Sequence, residues 1–302
     1  MISPRALRIH YLVRTFILLG FAYYINHLIQ TDSLHYYIAP RMEPFIRACP
    51  IPLCVLAFFV AWHALFGQGE QLCDCQHPVS NSIIRNTCYY GLFILPLTLG
   101  YLLPIQTLGS AAVDQKGMNI ANPYHSHSAT TAAIQSEKQQ PKFIPRDEFA
   151  IEFADLAKLI YEEPIIQVRP EIFSETIGAI NLFKSEFVGK SIELSGFVYR
   201  DAAMSEARMV AIGRFLVQCC TADATSFGVL VNLPDQPTYP MNTWIHVRGV
   251  IGVSSYEGED VITIQPVEVQ EIPQPLTPYI YTSPDSVEQY KKLKALDKTN
   301  NE

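Results

Sequence analysis

The residues best suited to chemistry are two adjacent cysteines followed closely by a carboxylate, Cys219, Cys220 and Asp223. Thiolate and carboxylate groups together bind Zn²⁺, and thiolates also favour Cu⁺. We predict that the cysteines end a β-strand, where neighbouring side chains face opposite sides, so that one thiol is buried and the other exposed. A disulfide between adjacent residues would close a strained eight-membered ring. A metal or partner site is one interpretation, and two small apolar residues at a strand end are the other.

A second group of soft ligands lies in the segment CDCQH, which contains Cys73, Cys75 and His77. Alternate residues of an extended segment point the same way, so these side chains can converge on Zn²⁺ or Cu⁺. A closed zinc site needs four ligands, however, and this spacing is not that of a CxxC pair. An ordinary reduced loop is the alternative. His125 and His127 are a weaker form of the same pattern, and exposed histidines without a metal explain them more simply.

Catalytic motifs are few in this sequence. It contains no glycine-rich phosphate loop, no GxSxG and no HExxH motif. His246 is the only histidine beyond residue 142 and falls in a predicted strand, so a Ser-His or Cys-His pair would depend on how the chain folds. His63, near the end of an apolar segment, is a candidate relay or ligand, although an interfacial histidine is the commoner case. We therefore expect no enzymatic activity.

Three apolar segments in the first third predict a bundle of membrane helices at residues 11–29, 45–66 and 88–104. The first is long enough to cross a hydrocarbon core of about 30 Å. No small-x-small cleavage site follows it, so we interpret it as a retained helix and not as a signal peptide. The third is the shortest and carries Pro96 in its middle, so a buried or re-entrant helix is the alternative there.

The arginines near the amino terminus predict the orientation in the membrane. Arg5, Arg8 and Arg14 precede or enter the first apolar segment, and no acidic residue occurs in the first 30 positions. Positive residues remain on the cytoplasmic side, so the amino terminus is expected there. Three crossings place the rest of the chain outside the cytoplasm, and two crossings would leave it inside.

The remainder of the chain predicts a linker at residues 107–141, an α+β domain at 142–280 and a capped, exposed helix or tail at 281–302. Phe149, Phe153, Leu156 and Ile160 form the stripe of an amphipathic helix. A second helix is predicted from about Glu171 to Phe183. Five strand-like segments follow, at Ser191–Tyr199, Arg214–Thr221, Phe227–Asn232, Thr243–Ile251 and Val261–Val269. Five short strands with glycines inside them favour a small OB-like β-barrel.

The two parts of the chain differ in charge, and this difference limits the classes of partner that we expect. Residues 141–302 contain 23 Asp and Glu against 14 Lys and Arg. An acidic domain repels phosphate backbones, so nucleic-acid binding is disfavoured even for an OB-like fold. A cationic ligand or a protein partner is easier to accommodate, and the lipid bilayer surrounds the first third.

Several stretches carry a family resemblance that covers nearly the whole chain. PLTLGYLLPIQTLGSAAVDQKG at residues 96–117, ELSGFVYRD and GRFLVQCCTADATSFGVLVN resemble the YcgQ-like family of permease subunits. The resemblance implies a bacterial inner-membrane protein paired with a larger, polytopic YcgR-type permease, and it implies no reaction. It also strengthens the functional interpretation of Cys219, Cys220 and Asp223.

These observations predict an accessory subunit of a membrane permease in the bacterial cell membrane. Its extracytoplasmic domain would capture or hand over a substrate, for which a thiophilic metal ion such as zinc is our hypothesis. The alternative is a free-standing, thiol-based metal-binding or redox-sensing membrane protein. The sequence does not identify the transported substance or the oligomeric state.

Overall fold

The computed structural model describes residues 4–67, 82–120, 143–145, 147–148, 150–233 and 239–300. The chain forms two compact units, Met1–Gln106 and Thr107–Glu302.

The first unit is helical. Its helices are α1 (Pro4–Gln30), the short α2 (Glu43–Ala48), α3 (Pro50–Phe66) and α4 (Ile83–Leu102). Among the described residues, two stretches are long and apolar enough to cross a membrane, Leu7–Gln30 and Pro40–Phe66. The third predicted segment forms α4, whose first turns contain the polar Arg85 and Asn86, and α4 is not one of these two stretches.

Helix α1 packs against both of the other long helices. Leu7 and Tyr11 near its start contact Ala64 near the end of α3, so these two helices are antiparallel. Small residues such as alanine let two membrane helices approach closely. Such contacts matter because, in lipid, the hydrophobic effect does not drive helices together.

Contacts between α1 and α4 run in the same order along both helices, so α4 is parallel to α1. His10 Nδ1 lies 2.8 Å from the Tyr90 hydroxyl, and the Tyr24 hydroxyl donates to the Gly100 carbonyl at 3.4 Å. The two helices therefore lie side by side along most of their length.

The outer surface of this unit is apolar, as lipid contact requires. Its exposed side chains include Phe16, Phe59, Trp62, Phe66, Leu92 and Leu102.

The described part of the second unit contains eight strands in one sheet. They are β1 (Met118–Asn119), β2 (Ile165–Gln167), β3 (Ser191–Tyr199), β4 (Met209–Leu216), β5 (Thr225–Asn232), β6 (Trp244–Tyr256), β7 (Glu259–Glu271) and β8 (Tyr279–Ile280). Its helices are α5 (Ser110–Lys116), α6 (Ala150–Tyr161), α7 (Phe173–Leu182), α8 (Lys184–Phe187), α9 (Ala202–Glu206) and α10 (Ser286–Asn300).

Five of the strands form a ring of pairings. β3 pairs antiparallel with β4, β4 with β5, β6 with β7, and β6 with β3. A short parallel pairing of β5 with β7 closes the ring. The alternating side chains on one face of these strands form a continuous core with α6 and α7, including Ile192, Leu194, Ile212, Val229, Val247 and Ile264.

Residues 107–120 differ from the predicted linker. They form α5 and β1 and pack on the strand ring, with Val113 fully buried and Met118 paired with Ser226 of β5. Asn242 holds this segment, since its Oδ1 accepts the Ser110 amide and its Nδ2 donates to the Ser110 hydroxyl. The sequence predicted a linker because these residues are small and polar. Their burial depends on contact with the strand ring, which is formed by residues far along the chain.

The carboxy-terminal helix α10 is docked on α6 and the segment after it. The Tyr290 hydroxyl donates to Glu163 at 2.7 Å, and Lys294 pairs with the same carboxylate. Glu152 accepts the Val287 amide at 2.9 Å and the hydroxyl of Ser286, which is fully buried. These bonds cap the start of α10 and attach its inner face.

A candidate thiol and carboxylate site

The two adjacent cysteines lie in the turn between β4 and β5. Strand β4 ends at Leu216, before the cysteines, and a 3₁₀ turn at Thr221–Asp223 leads into β5. The prediction that Cys219 and Cys220 end a strand and face opposite sides is therefore wrong. Their sulfur atoms lie on the same side, 3.7 Å apart, with Cys219 exposed and Cys220 half-buried.

The Asp223 carboxylate organises this turn. Its Oδ1 accepts the Gln218 amide at 2.8 Å, and its Oδ2 accepts the amides of Cys219 at 2.7 Å and Cys220 at 3.3 Å. In return, the Cys220 sulfur accepts from the Asp223 amide, which completes a reciprocal cap. Three backbone N–H groups thus converge on one carboxylate, and a strand cannot continue because its ladder donors are used here.

A lysine from residues 107–120 forms hydrogen bonds to the backbone of the same turn. Lys116, the last residue of α5, donates from Nζ to the carbonyls of Ala222 at 3.0 Å and Ala224 at 2.9 Å. The segment predicted as a linker therefore supplies a cation beside the cluster. Sequence reasoning missed Lys116 because the two positions are far apart in the chain.

The electrostatics of the cluster favour a protonated thiol. The hydrogen bond to the Asp223 carboxylate, together with that to Cys220, raises the pKa of Cys219 to about 11. Desolvation works to raise the pKa of Asp223, but hydrogen bonds from the Cys219 thiol and the three backbone amides outweigh it and lower that pKa to about 2. At neutral pH the carboxylate is thus ionised and the Cys219 thiol is a weak nucleophile.

The spacing of the ligand atoms suits a tetrahedral metal ion. The two sulfurs and a carboxylate oxygen all lie within 4.8 Å of one another, the one such group found among the described residues. Two thiolates bound to zinc at about 2.3 Å in tetrahedral geometry are about 3.8 Å apart. The observed separation of 3.7 Å is close to that distance. Such an ion would displace the thiol protons and would keep at least one position open for another ligand.

Of the other candidate metal ligands, the structure describes only His63. Cys73, Cys75, His77, His125 and His127 lie outside the described residues. His63 belongs to the first unit, where its ring packs edge-on against Tyr11 at 5.2 Å between centroids. Its placement beside a neighbouring helix is that of a packed side chain.

A serine and histidine pair lies on the strand ring. Ser195 of β3 and His246 of β6 are cross-strand neighbours, and the Ser195 hydroxyl and His246 Nδ1 are 2.9 Å apart. Within the described part of the chain no carboxylate binds the His246 ring. The pair is therefore a cross-strand hydrogen bond and lacks the third group of a nucleophilic triad.

An apolar helical unit with two candidate membrane spans, joined to a β-rich unit with an exposed thiol cluster, defines a membrane protein with one water-exposed domain. The chain belongs to the DUF1980 family, which is the YcgQ-like family. The DUF1980 N-terminal domain matches residues 13–119, and the DUF1980 C-terminal domain matches residues 143–282.

Two relatives cover most of the chain or of their own length. UPF0703 protein YcgQ of Bacillus subtilis is 25% identical over 284 residues, which are 89% of this chain and 98% of the relative. A Streptococcus mutans protein, provisionally named as a two-component membrane permease complex subunit, is 24% identical over 197 residues, 63% of this chain and 72% of the relative. No solved structure matches the chain.

Replacing Asp223 by asparagine tests the electrostatic coupling. The substitution removes the negative charge that opposes the thiolate, so the pKa of Cys219 falls towards its ordinary value. We expect alkylation of Cys219 by iodoacetamide at pH 8 to accelerate roughly tenfold or more, measured by mass spectrometry in a Cys220→Ser background with a chelator present. Asp201→Asn, in a different turn, should leave the rate unchanged. Equal rates in the parent and Asp223→Asn would contradict the coupling.

Proposed function

We propose that this protein is the accessory subunit of a two-component membrane permease, and that its second unit captures a thiophilic metal ion and hands it over. The permease assignment is supported by the name of the Streptococcus mutans relative. The cargo is supported by one geometric observation, the 3.7 Å approach of the Cys219 and Cys220 sulfurs beside Asp223. The partner would be a polytopic, YcgR-type permease, as the family resemblance implies.

The cluster has properties that suit transfer better than permanent binding. Cys219 is exposed, so a ligand from a partner can reach an ion held there. Three ligands leave a coordination position open, which a fourth ligand from the permease can enter. The turn is already held by Asp223 and Lys116, so binding has little ordering cost. Because the carboxylate carries the backbone bonds, the loop keeps its shape after the ion leaves.

The helical unit supports a proposed topology with three crossings. Helix α4 runs parallel to α1. His10 contacts Tyr90 in the first half of both helices, and Tyr24 contacts Gly100 towards their ends. A helix so placed leaves the bilayer on the side where α1 ends. With a cytoplasmic amino terminus, the second unit lies outside the cytoplasm and the protein is multi-pass.

The ring of five strands is proposed to be an OB-like barrel. Its pairing order, β3-β4-β5-β7-β6 and back to β3, with one parallel pair, is that of a five-stranded Greek-key barrel. The acidic charge of this part of the chain opposes binding of nucleic acid. We propose a non-enzymatic role for it, because the exposed chemistry consists of metal ligands and not of an activated nucleophile.

The competing function is a free-standing sensor or buffer of thiophilic ions, with no permease. The exposure of Cys219 beside the half-buried Cys220 favours it, because accessible adjacent thiols also respond to oxidants. The two functions share the metal site and differ in whether a membrane partner is required.

Metal binding at the cluster is tested by equilibrium dialysis of the full chain with Zn²⁺ and with Cu⁺. In a Cys73→Ser, Cys75→Ser background we expect one ion per chain, with affinity reduced about tenfold or more by Cys219→Ser or Cys220→Ser. Binding should strengthen between pH 6 and 8 by about tenfold per pH unit for each thiol proton released. Cys88→Ser, an exposed cysteine of α4, is the matched control. Unchanged affinity in the double variant of residues 219 and 220 would exclude this cargo site.

The side of the membrane is tested by reporters fused after Pro141. We expect activity from an enzyme that works only outside the cytoplasm, because three crossings invert the chain relative to its amino terminus. Activity from a cytoplasm-only reporter at the same position, without activity outside, would overturn the three-crossing topology and the extracytoplasmic capture role.

A further inference from the structure

The second unit contains a buried arginine that the proposed function does not use. Arg214 of β4 is only 4% exposed. Its neighbours at alternate positions, Ile212 and Leu216, belong to the hydrophobic core. By the period of two along a strand, the Arg214 side chain leaves the backbone on the core side. An arginine in this position needs a specific explanation, because buried cations are normally paired.

Arg214 lies at a seam where the strand ring opens. β3 and β4 pair only from Phe197 with Gly213 to Tyr199 with Ala211. Beyond that point the start of β3 pairs with β2, and the end of β4 pairs with β8. Gly196 is at the divergence, where a Cβ atom would come within 2.5 Å of the Gly213 carbonyl oxygen. The strands thus separate next to Arg214, and its side chain lies in the resulting gap.

The guanidinium is only partly satisfied there. Its Nε donates to the Ser195 carbonyl at 2.8 Å, which replaces a missing ladder bond. Its Nη1 is buried and has no hydrogen-bond partner. The rings of Trp244 and Phe173 flank it, with centroids 5.1 Å and 5.8 Å from Cζ. Among the described residues no carboxylate forms an ion pair with it.

The site remains cationic at neutral pH. Burial lowers the pKa of Arg214 to about 10, and the nearby charge of Glu171 acts in the opposite direction. A desolvated charge without a counterion is costly, and cation–π contacts compensate only part of that cost. Ser195, whose carbonyl accepts from Arg214, is itself half-buried, and its hydroxyl lies 2.9 Å from His246 Nδ1.

We propose that Arg214 binds the carboxylate group of a small organic anion at the seam between β3 and β4. With Nε engaged, the outer edge of the guanidinium, Nη1 and Nη2, remains for two parallel hydrogen bonds to a carboxylate. A planar carboxylate matches the planar fork of the guanidinium, whereas a tetrahedral phosphate is bulkier. This site differs from the thiol cluster and does not depend on the permease assignment.

Fluorescence of Trp244 reports directly on this site. The chain has two tryptophans, so Trp62→Phe leaves Trp244 as the sole emitter. The full chain in detergent is titrated with acetate, succinate and citrate at constant ionic strength set by sodium chloride, with inorganic phosphate as a separate arm. We expect a saturable emission change with at least one carboxylate, and a weaker response to phosphate.

Substitutions at the arginine separate recognition from general salt effects. Arg214→Met should abolish the saturable change, and Arg214→Lys should weaken it about tenfold or more, because lysine cannot form the two-bond contact. Arg248→Met removes an exposed arginine from β6 of the same ring and should leave the response intact. If Arg214→Met fails to fold, Arg214→Lys alone decides. The proposal is overturned if no carboxylate gives a saturable change beyond chloride, if phosphate binds more tightly, or if the folded Arg214 variants respond like the parent.

Discussion

The second unit depends on one short pairing, the two residue pairs that join β5 to β7. Leu230 lies beside Thr263 and Val231 beside Ile264, in parallel register, and these positions are nearly inaccessible to solvent. Without this contact the sheet would have two free edges and an open interior face. With it, the alternating apolar residues of five strands face one another and form a core that α6 and α7 cover. The long antiparallel pairing of β6 with β7 brings β7 back to the position where it meets β5.

Two polar features lie beside β4, one where β4 turns into β5 and one where it separates from β3. Where β4 turns into β5, the backbone has no strand partner, and the Asp223 carboxylate accepts the amide protons instead. That arrangement holds the two sulfur atoms 3.7 Å apart. Where β4 parts from β3, Arg214 donates to the Ser195 carbonyl, and no carboxylate in the described part of the chain forms an ion pair with it. Both polar features therefore arise at points where the ladder is interrupted.

Local patterns predicted the regular elements well, and tertiary contacts decided the rest. β3 spans Ser191–Tyr199 as predicted; its burial alternates over residues 191–195, and residues 196–199 are buried on both faces. The predicted start of β4 at Arg214 was late, since Met209–Gly213 is buried on both faces and shows no alternation. The cysteines were singled out by residue type, and their role as a binding site stays a prediction. Their shared side could not be predicted, because it depends on hydrogen bonds that the Asp223 carboxylate accepts and on Lys116, about one hundred positions earlier.

The accessory-subunit account is tested most directly by isolating the full chain from membranes with its partners. Tagged protein expressed at its native level is extracted in a mild detergent, with an untagged strain as control, and its native mass is measured. The account predicts a complex well above the 34.0 kDa of the single chain, containing a polytopic permease in near-equimolar amount. Recovery of the protein alone, under conditions that preserve other membrane complexes from the same extract, would contradict it.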